Sequence, residues 1–274
     1  MHTGKVIIAG AGPGDPGLLT LKTAQYLQQA DVILVDRLVS EDILTLHTRT
    51  DAECIYVGKQ CRKGLSVPQS AINELMVGYA QLGKLVVRLK GGDVSVFSNV
   101  LDELEALVDN HIPYEVVPGI TAALGAAAYA GIPLTARGYT TAVRLLTAYT
   151  KDVVSDDYWR DLAQTRDTLV FYMSSETLED VVANLVRHGI APARKLAVVE
   201  QATTPLQQVT MLDLYDTRQP WKDKSWKSPS LLIVGEVTSL HERYGWVPNG
   251  NSNDHYFPPI AGAAGLVVQP SKVA

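Results

Sequence analysis

Short apolar runs alternate along the first half of the chain with segments whose apolar residues recur at helical spacing. Val6–Ala9, Asp31–Val35, Cys54–Val57, Leu85–Leu89 and Tyr114–Val117 read as strands, and Leu18–Gln29, Gln69–Leu82 and Val100–Asn110 as helices between them. Strands interleaved with helices imply βαβ units, hence parallel strands joined by right-handed crossovers. After Pro118 the texture changes. Thr121 can cap an Ala-rich helix that Gly131-Ile-Pro133 brings to a stop. Further strands are predicted at Val143–Thr147, Thr168–Tyr172, Leu196–Val199, Gln207–Met211 and Ser230–Val234, with helices over Asp157–Gln164 and Glu176–His188. The pattern predicts two α/β domains, 1–118 and 119–247, and a mobile tail over 248–274 rich in Asn, Gly and Pro.

Composition narrows the function classes. A length of 274 residues suffices for two modest domains. With 24 basic against 29 acidic side chains and a net charge of −5, no global basic field draws in nucleic acid. A large anionic substrate would need a local basic patch. The longest nearly apolar stretch, Ile120–Leu134, is too short to span a bilayer and is built of Ala and Gly, so no membrane association is expected. Met1 leads through polar residues directly into a strand, which predicts no signal peptide. Cys54 and Cys61 match no zinc spacing and make no disulfide scaffold, and the six histidines contain no i, i+4 pair. No metal site is expected, and a reducing cytoplasm fits best.

The candidate chemistry lies in glycine-rich strand ends. Gly12-x-Gly14-x-x-Gly17 satisfies a dinucleotide fingerprint formally, with Asp36 at the distance of a ribose carboxylate. Against that reading, Pro13 and Pro16 remove N–H donors, and Asp15 puts a negative charge where a pyrophosphate would sit. The second loop, Val86-Val-Arg-Leu-Lys-Gly-Gly-Asp93, ends a buried strand at two glycines that would let a ligand lie against bare main chain. Asp93 could accept bonds from an amine or ribose, or attract a sulfonium. Pro118-Gly-Ile-Thr-Ala122 is a third strand-end turn, and such loops gather on one edge of a parallel sheet.

Taken together, these segments resemble the uroporphyrinogen-III C-methyltransferases of the tetrapyrrole methylase fold. The matching stretches are Gly10-Ala-Gly-Pro-Gly-Asp-Pro-Gly-Leu-Leu-Thr20, Asp36-Arg-Leu-Val-Ser40, Val57-Gly-Lys59, Ser66-Val-Pro-Gln69 and Val87-Arg-Leu-Lys-Gly-Gly-Asp93. They continue through Val117-Pro-Gly-Ile-Thr-Ala122, Ala130-Gly-Ile-Pro-Leu-Thr135, Leu169-Val-Phe-Tyr-Met173 and Val198-Val-Glu200, so the resemblance runs from Gly4 to Trp246. It implies two α/β domains, a homodimer, and S-adenosylmethionine held between the domains. The implied cofactor contacts are Pro13, Gly91, Gly92, Asp93, Val96, Thr121, Ala122, Met173 and Ala202. The implied proton-handling residues are Asp36 and Lys59, and Arg37, Arg62, Lys63 and Arg137 are candidates for binding the carboxylates of a tetrapyrrole substrate. Arg88, Lys90 and Arg144 recur at similar positions.

The implied reaction is methylation of uroporphyrinogen III at C2 and C7 to precorrin-2, on the way to sirohaem or cobalamin. No fused dehydrogenase or chelatase segment is read in the chain, so precorrin-2 would pass to other proteins. Two segments depart from the family. After Gly-Gly-Asp the usual Pro-Phe-Ile-Phe-Gly-Arg-Gly-Gly-Glu-Glu is replaced by Val94-Ser-Val-Phe-Ser-Asn-Val-Leu-Asp-Glu103, and the usual Thr-His-Arg-Asp by Thr135-Ala-Arg-Gly138. The rival readings are a dinucleotide-dependent oxidoreductase, a methylase of another tetrapyrrole or a macromolecule, and a non-catalytic binding module.

Overall fold

The structure is a computed structural model that describes residues 4–58, 67–147, 155–173, 177–222, 224–252, 254–257 and 267–269. The chain divides into two compact units, one of residues 1–121 with 255–274, the other of residues 122–254.

The first unit contains β1 (Lys5–Gly10), α1 (Leu21–Leu27), β2 (Val32–Val35), α2 (Glu41–His47), β3 (Glu53–Tyr56), α3 (Gln69–Gln81), β4 (Leu85–Lys90), α4 (Leu101–Asp109) and β5 (Tyr114–Val117). The second contains α5 (Ala122–Ala130), β6 (Val143–Thr147), α6 (Asp156–Gln164), β7 (Thr168–Tyr172), α7 (Leu178–Arg187), β8 (Lys195–Glu200), β9 (Gln208–Leu212), β10 (Ser230–Gly235) and α8 (His241–Tyr244). A last strand, β11 (Val267–Gln269), returns to the first unit.

In the first sheet the order is β11-β3-β2-β4-β1-β5, parallel throughout except where β11 runs antiparallel to β3. Alternation along these strands separates two cores. Ile7, Ala9, Ile33, Val35, Val87 and Leu89 pack with Leu27 and Ile43 on one face; Val6, Ile8, Val32, Leu34 and Val86 pack with Ile72, Met76 and Leu107 on the other. Strands buried on both faces explain the nearly unbroken apolar runs. The second sheet is mixed, in the order β6-β7-β10-β8-β9, and only β6 and β7 pair in parallel.

Several expectations change at this level. The helix read from Leu18 begins at Leu21, because two caps follow one another closely. Asp15 accepts from Gly17 N and starts a 3-10 turn over Pro16–Leu18, and Thr20 then accepts from Thr23 N to start α1. The sequence reading misses α2, a seven-residue helix with acidic Glu41 and Asp42 in its first turn and His47 in its last. The segment read as a mobile tail contains β11, and its Tyr256 bonds to side chains of the first unit.

Candidate active site

At the centre of the first sheet, β1 and β4 lie side by side and the chain leaves them in opposite directions, β1 toward β2 and β4 toward β5. A switch of this kind opens a crevice at the carboxyl ends of a parallel sheet. The two loops that leave it are the glycine-rich segments, and they are joined to each other. Gly12 N donates to Gly92 O at 3.1 Å and Gly92 N to Gly12 O at 2.8 Å. Gly12 and Gly92 hold φ of +77° and +69°, which a side chain would strain.

The other glycines are required by close approach. A Cβ on Gly10 would lie 2.6 Å from Gly119 N, and one on Gly119 would lie 2.3 Å from the Gly92 oxygen. A Cβ on Gly91 would meet Leu38 Cβ at 2.7 Å. The bareness of Gly91, read from the sequence as room for a ligand, is therefore needed for packing against the loop after β2. Pro13 is buried between these glycines, and Val96 is partly exposed beyond Asp93.

Asp93 ties the second loop to the third. Its Oδ2 accepts from Gly119 N at 2.9 Å, and its Oδ1 from Ser95 N at 2.8 Å and Ser95 Oγ at 2.5 Å. Burial by itself would raise the pKa of this carboxyl. The bonds from Ser95 and from the Gly119 and Val94 N–H groups outweigh it and hold Asp93 below the usual carboxylate range. Asp93 is thus an ionised group at the switch point.

Asp36 stands one step past β2, its N–H donating to Leu89 O at 3.0 Å. The register pairs Val35 with Leu89, so the next step brings Asp36 beside Lys90. Arg88 and Lys90 point to the same face as Leu34, and both are paired with Glu103 of α4. Arg88 Nε meets Glu103 Oε1 at 2.9 Å and Lys90 Nζ meets Oε2 at 2.6 Å, with all three side chains buried. Arg88 also donates to the carbonyls of Leu34 and Leu89. Burial pulls the Lys90 pKa down, opposed first by Glu103 and more weakly by Asp36. Two cations against one carboxylate leave a positive excess beneath Asp36.

Several basic groups read as substrate anchors are engaged elsewhere. Arg88 and Lys90 are in the buried triad, and Arg144 bonds to Asp167 at 2.6 Å and to Asp161. Arg37 is half-buried beside Asp36; burial lowers its pKa and Asp36 opposes that. Arg137 is exposed in a turn closed by the Ala136–Thr140 bridge. Lys59, Arg62 and Lys63 lie outside the described residues. Among the described residues no cluster of metal-ligating side chains occurs.

In the second unit, the carboxyl ends of β7 and β8 share one sheet edge, because both run antiparallel to β10 between them. Tyr172 ends β7 and its hydroxyl accepts from Ala123 N at 3.1 Å, which ties the start of α5 to that strand. Thr121 immediately precedes that helix. Met173 is 48% exposed with φ of +54°, so it is no part of the apolar core. Ala202 is buried between Gln201 and Thr203, which carry φ of +48° and +66°. A β-branched residue in that region is strained and must be held. Here Gln207 Oε1 accepts from Thr203 N at 2.8 Å, and Gln201 N donates to Pro229 O at 2.8 Å. Strained strand ends of this kind gave no signal in the sequence, where only the motif resemblance marked them.

The sequence pattern of the Tetrapyrrole (Corrin/Porphyrin) Methylases matches residues 5–217. A siroheme synthase of Acinetobacter baylyi is 48% identical over 244 residues, 89% of this chain and 53% of that protein. A siroheme synthase of Thioalkalivibrio sulfidiphilus is 44% identical over 266 residues, 97% of this chain and 54% of that protein. The chain therefore spans about half the length of the curated relatives it matches. A uroporphyrin-III C-methyl transferase of Thermus thermophilus, complexed with S-adenyl homocysteine, matches with a TM-score of 0.72 at 35% identity, over 86% of this chain and all of that one. No described helix is long and apolar enough to cross a membrane. With its family pattern running through both units, the chain belongs to the tetrapyrrole methylase family.

Proposed function

We propose that this protein uses S-adenosylmethionine to methylate uroporphyrinogen III at C2 and C7, giving precorrin-2 for sirohaem or cobalamin synthesis. The observation that carries the reading is the pair of glycine loops bridged at the β1/β4 switch point with the ionised Asp93 beside them. These residues fit a sulfonium nucleoside: tight loops expose main chain, and Asp93 supplies negative charge without a metal. A dinucleotide fits poorly, because Thr20 caps α1 and the Asp15 turn separates that helix from the glycines.

When bound, S-adenosylmethionine supplies an electrophilic methyl group on sulfur. The macrocycle carbon would take that methyl with its own electron pair as the C–S bond breaks, and the macrocycle would later lose a proton. In this reading Asp36 accepts that proton, directly or through water, and Lys59 acts as an acid or anchors a carboxylate. Pro13, Gly91, Gly92, Asp93, Val96, Thr121, Ala122, Met173 and Ala202 orient the cofactor, and such positioning can contribute on the order of 7–11 kcal/mol. Arg37, Arg62, Lys63 and Arg137 bind substrate carboxylates. The working form is a homodimer in the cytoplasm.

Incubation with uroporphyrinogen III and labelled methyl donor tests this directly: precorrin-2 and two equivalents of S-adenosylhomocysteine are expected. Asp36→Asn should lower kcat by about 10²–10⁴-fold. Full turnover by that variant would remove Asp36 from the proton path. Absence of label transfer from a protein that binds S-adenosylhomocysteine would reject the assigned substrate.

A further inference from the structure

The family pattern ends at residue 217, yet the chain runs on and returns to the first unit at His255. There the Tyr256 hydroxyl lies 2.8 Å from Ser40 Oγ and donates to Asp42 Oδ2 at 2.7 Å. A phenol has one proton, and an ionised carboxylate can only accept. With that proton on the Asp42 bond, Ser40 is the donor to the Tyr256 oxygen. This accounts for an oddity of α2: Ser40 occupies the N-cap position, where serine ordinarily accepts from the helix, but its side chain makes no capping bond. Tyr256 thus closes a bridge across the first turn of α2.

The ring is fixed as well. Tyr256 packs edge-on against Phe257 with ring centroids 5.2 Å apart, and Phe257 is only 2% exposed. Burial raises the Tyr256 pKa, and the Asp42 and Asp15 carboxylates add to it against the opposing bond from Ser40, so the phenol remains a donor through the neutral range. Ser40 ends the segment Asp36-Arg-Leu-Val-Ser40, whose Leu38 packs against Gly91.

We infer that Tyr256 is a positioning residue: by bridging Ser40 and Asp42, the C-terminal segment holds the loop that carries Asp36 and Arg37 against the glycine loops. The inference rests on the proposed role of that loop in methyl transfer. It makes the chain beyond the family pattern a working part of the site.

Tyr256→Phe keeps the ring and its packing on Phe257 but removes both bonds, and Ser40→Ala removes one of them from the other side. Each variant is expected to lower kcat about tenfold while leaving KM for S-adenosylmethionine within about twofold, as for a misplaced group acting after binding. The double variant should be no worse than the single ones, because both break one bridge. Amide hydrogen exchange over residues 36–42, measured with S-adenosylhomocysteine bound, should quicken about tenfold in each variant. A purely structural role would lower the melting temperature but leave kcat unchanged at temperatures where the protein is folded. Wild-type kcat in both single variants, defects that multiply in the double variant, or unchanged exchange over 36–42 would each overturn the inference. If the unaltered protein transfers no methyl to uroporphyrinogen III, the substrate assignment fails, and the exchange measurement still decides whether the bridge holds the loop.

Discussion

Both units bury cationic side chains, but they give them different partners. In the first, Arg88, Lys90 and Glu103 neutralise one another through side chains, at strand ends next to Asp36. In the second, Arg194 is nearly as buried but meets backbone: Nη1 donates to Thr165 O at 2.7 Å and Nη2 to Asp167 O at 2.8 Å. Longer bonds from Nη1 reach the carbonyls of Leu162 and Ala163 in the last turn of α6. Arg194 therefore satisfies the free carbonyls of a helix end, a structural task. The triad leaves a positive excess where a base is proposed to work. The buried cations of the two units thus differ in what they hold: Arg88 and Lys90 stand with a carboxylate where a base is proposed to work, and Arg194 holds a helix end.

The strongest way to break this contrast is to remove the anion of the triad. Glu103→Gln leaves two buried cations without a counter-charge and should cost about 3–5 kcal/mol of stability by denaturant unfolding. Arg194→Met removes hydrogen bonds from carbonyls that water can partly re-solvate, and should cost about 1–3 kcal/mol. If the two losses are equal, the charge excess in the first unit has no energetic meaning.

How far the sequence reveals such arrangements depends on the residue. The strands of the first unit are readable because they are buried on both faces, and their glycine ends are readable because loops packed backbone on backbone tolerate little else. Arg88 and Lys90 also carry a signal, since cations alternating with Val86 on one face of a central strand must find a partner. The identity of that partner is hidden: Glu103 occupies a helix whose other acids face water, and only the fold turns it inward. Helix α2 escapes notice because it is short and Leu46 is 66% exposed, leaving Ile43 and Leu44 as its buried stripe. The bridge from Tyr256 to Ser40 joins residues 216 apart and has no local signature.

Glycines sharpen the contrast inside the first unit, because one substitution should act with opposite signs at two positions. Gly119→Ala drives a methyl to 2.3 Å from the Gly92 oxygen, between backbones that have nowhere to move. A loss of about 1–3 kcal/mol is expected, together with weaker binding of S-adenosylhomocysteine by calorimetry. Gly78 lies inside α3 with nothing within 4 Å of a built Cβ. There Gly78→Ala should stabilise by about 0.5–1 kcal/mol, because alanine loses less chain entropy on entering a helix. Equal effects at the two sites would mean that the loop contacts at Gly119 relax freely.

The smallest effect belongs to charges that face water. Glu115 on β5 accepts from Lys22, from Lys5 Nζ at 2.7 Å and from the Tyr26 hydroxyl at 2.7 Å. The Lys22 bond, then those of Lys5 and Tyr26, bring its pKa from an ordinary 4.5 down to about 2. Because the folded value is the lower one, the stabilisation is complete above about pH 4.5 and is lost as the pH falls toward 2. Thermal midpoints of the unaltered protein and of Glu115→Gln should therefore differ near neutrality and converge by about pH 2. The gap should shrink in high salt, since exposed pairs are screened over about 8 Å even at physiological ionic strength. In the second unit, Asp167 has its pKa lowered chiefly by its bond from Arg144, so Asp167→Asn should show the same convergence on acidification. A gap that persists into acid at either site would mean that the carboxylate contributes through packing, and the two units would then differ at their surfaces as they do in their interiors.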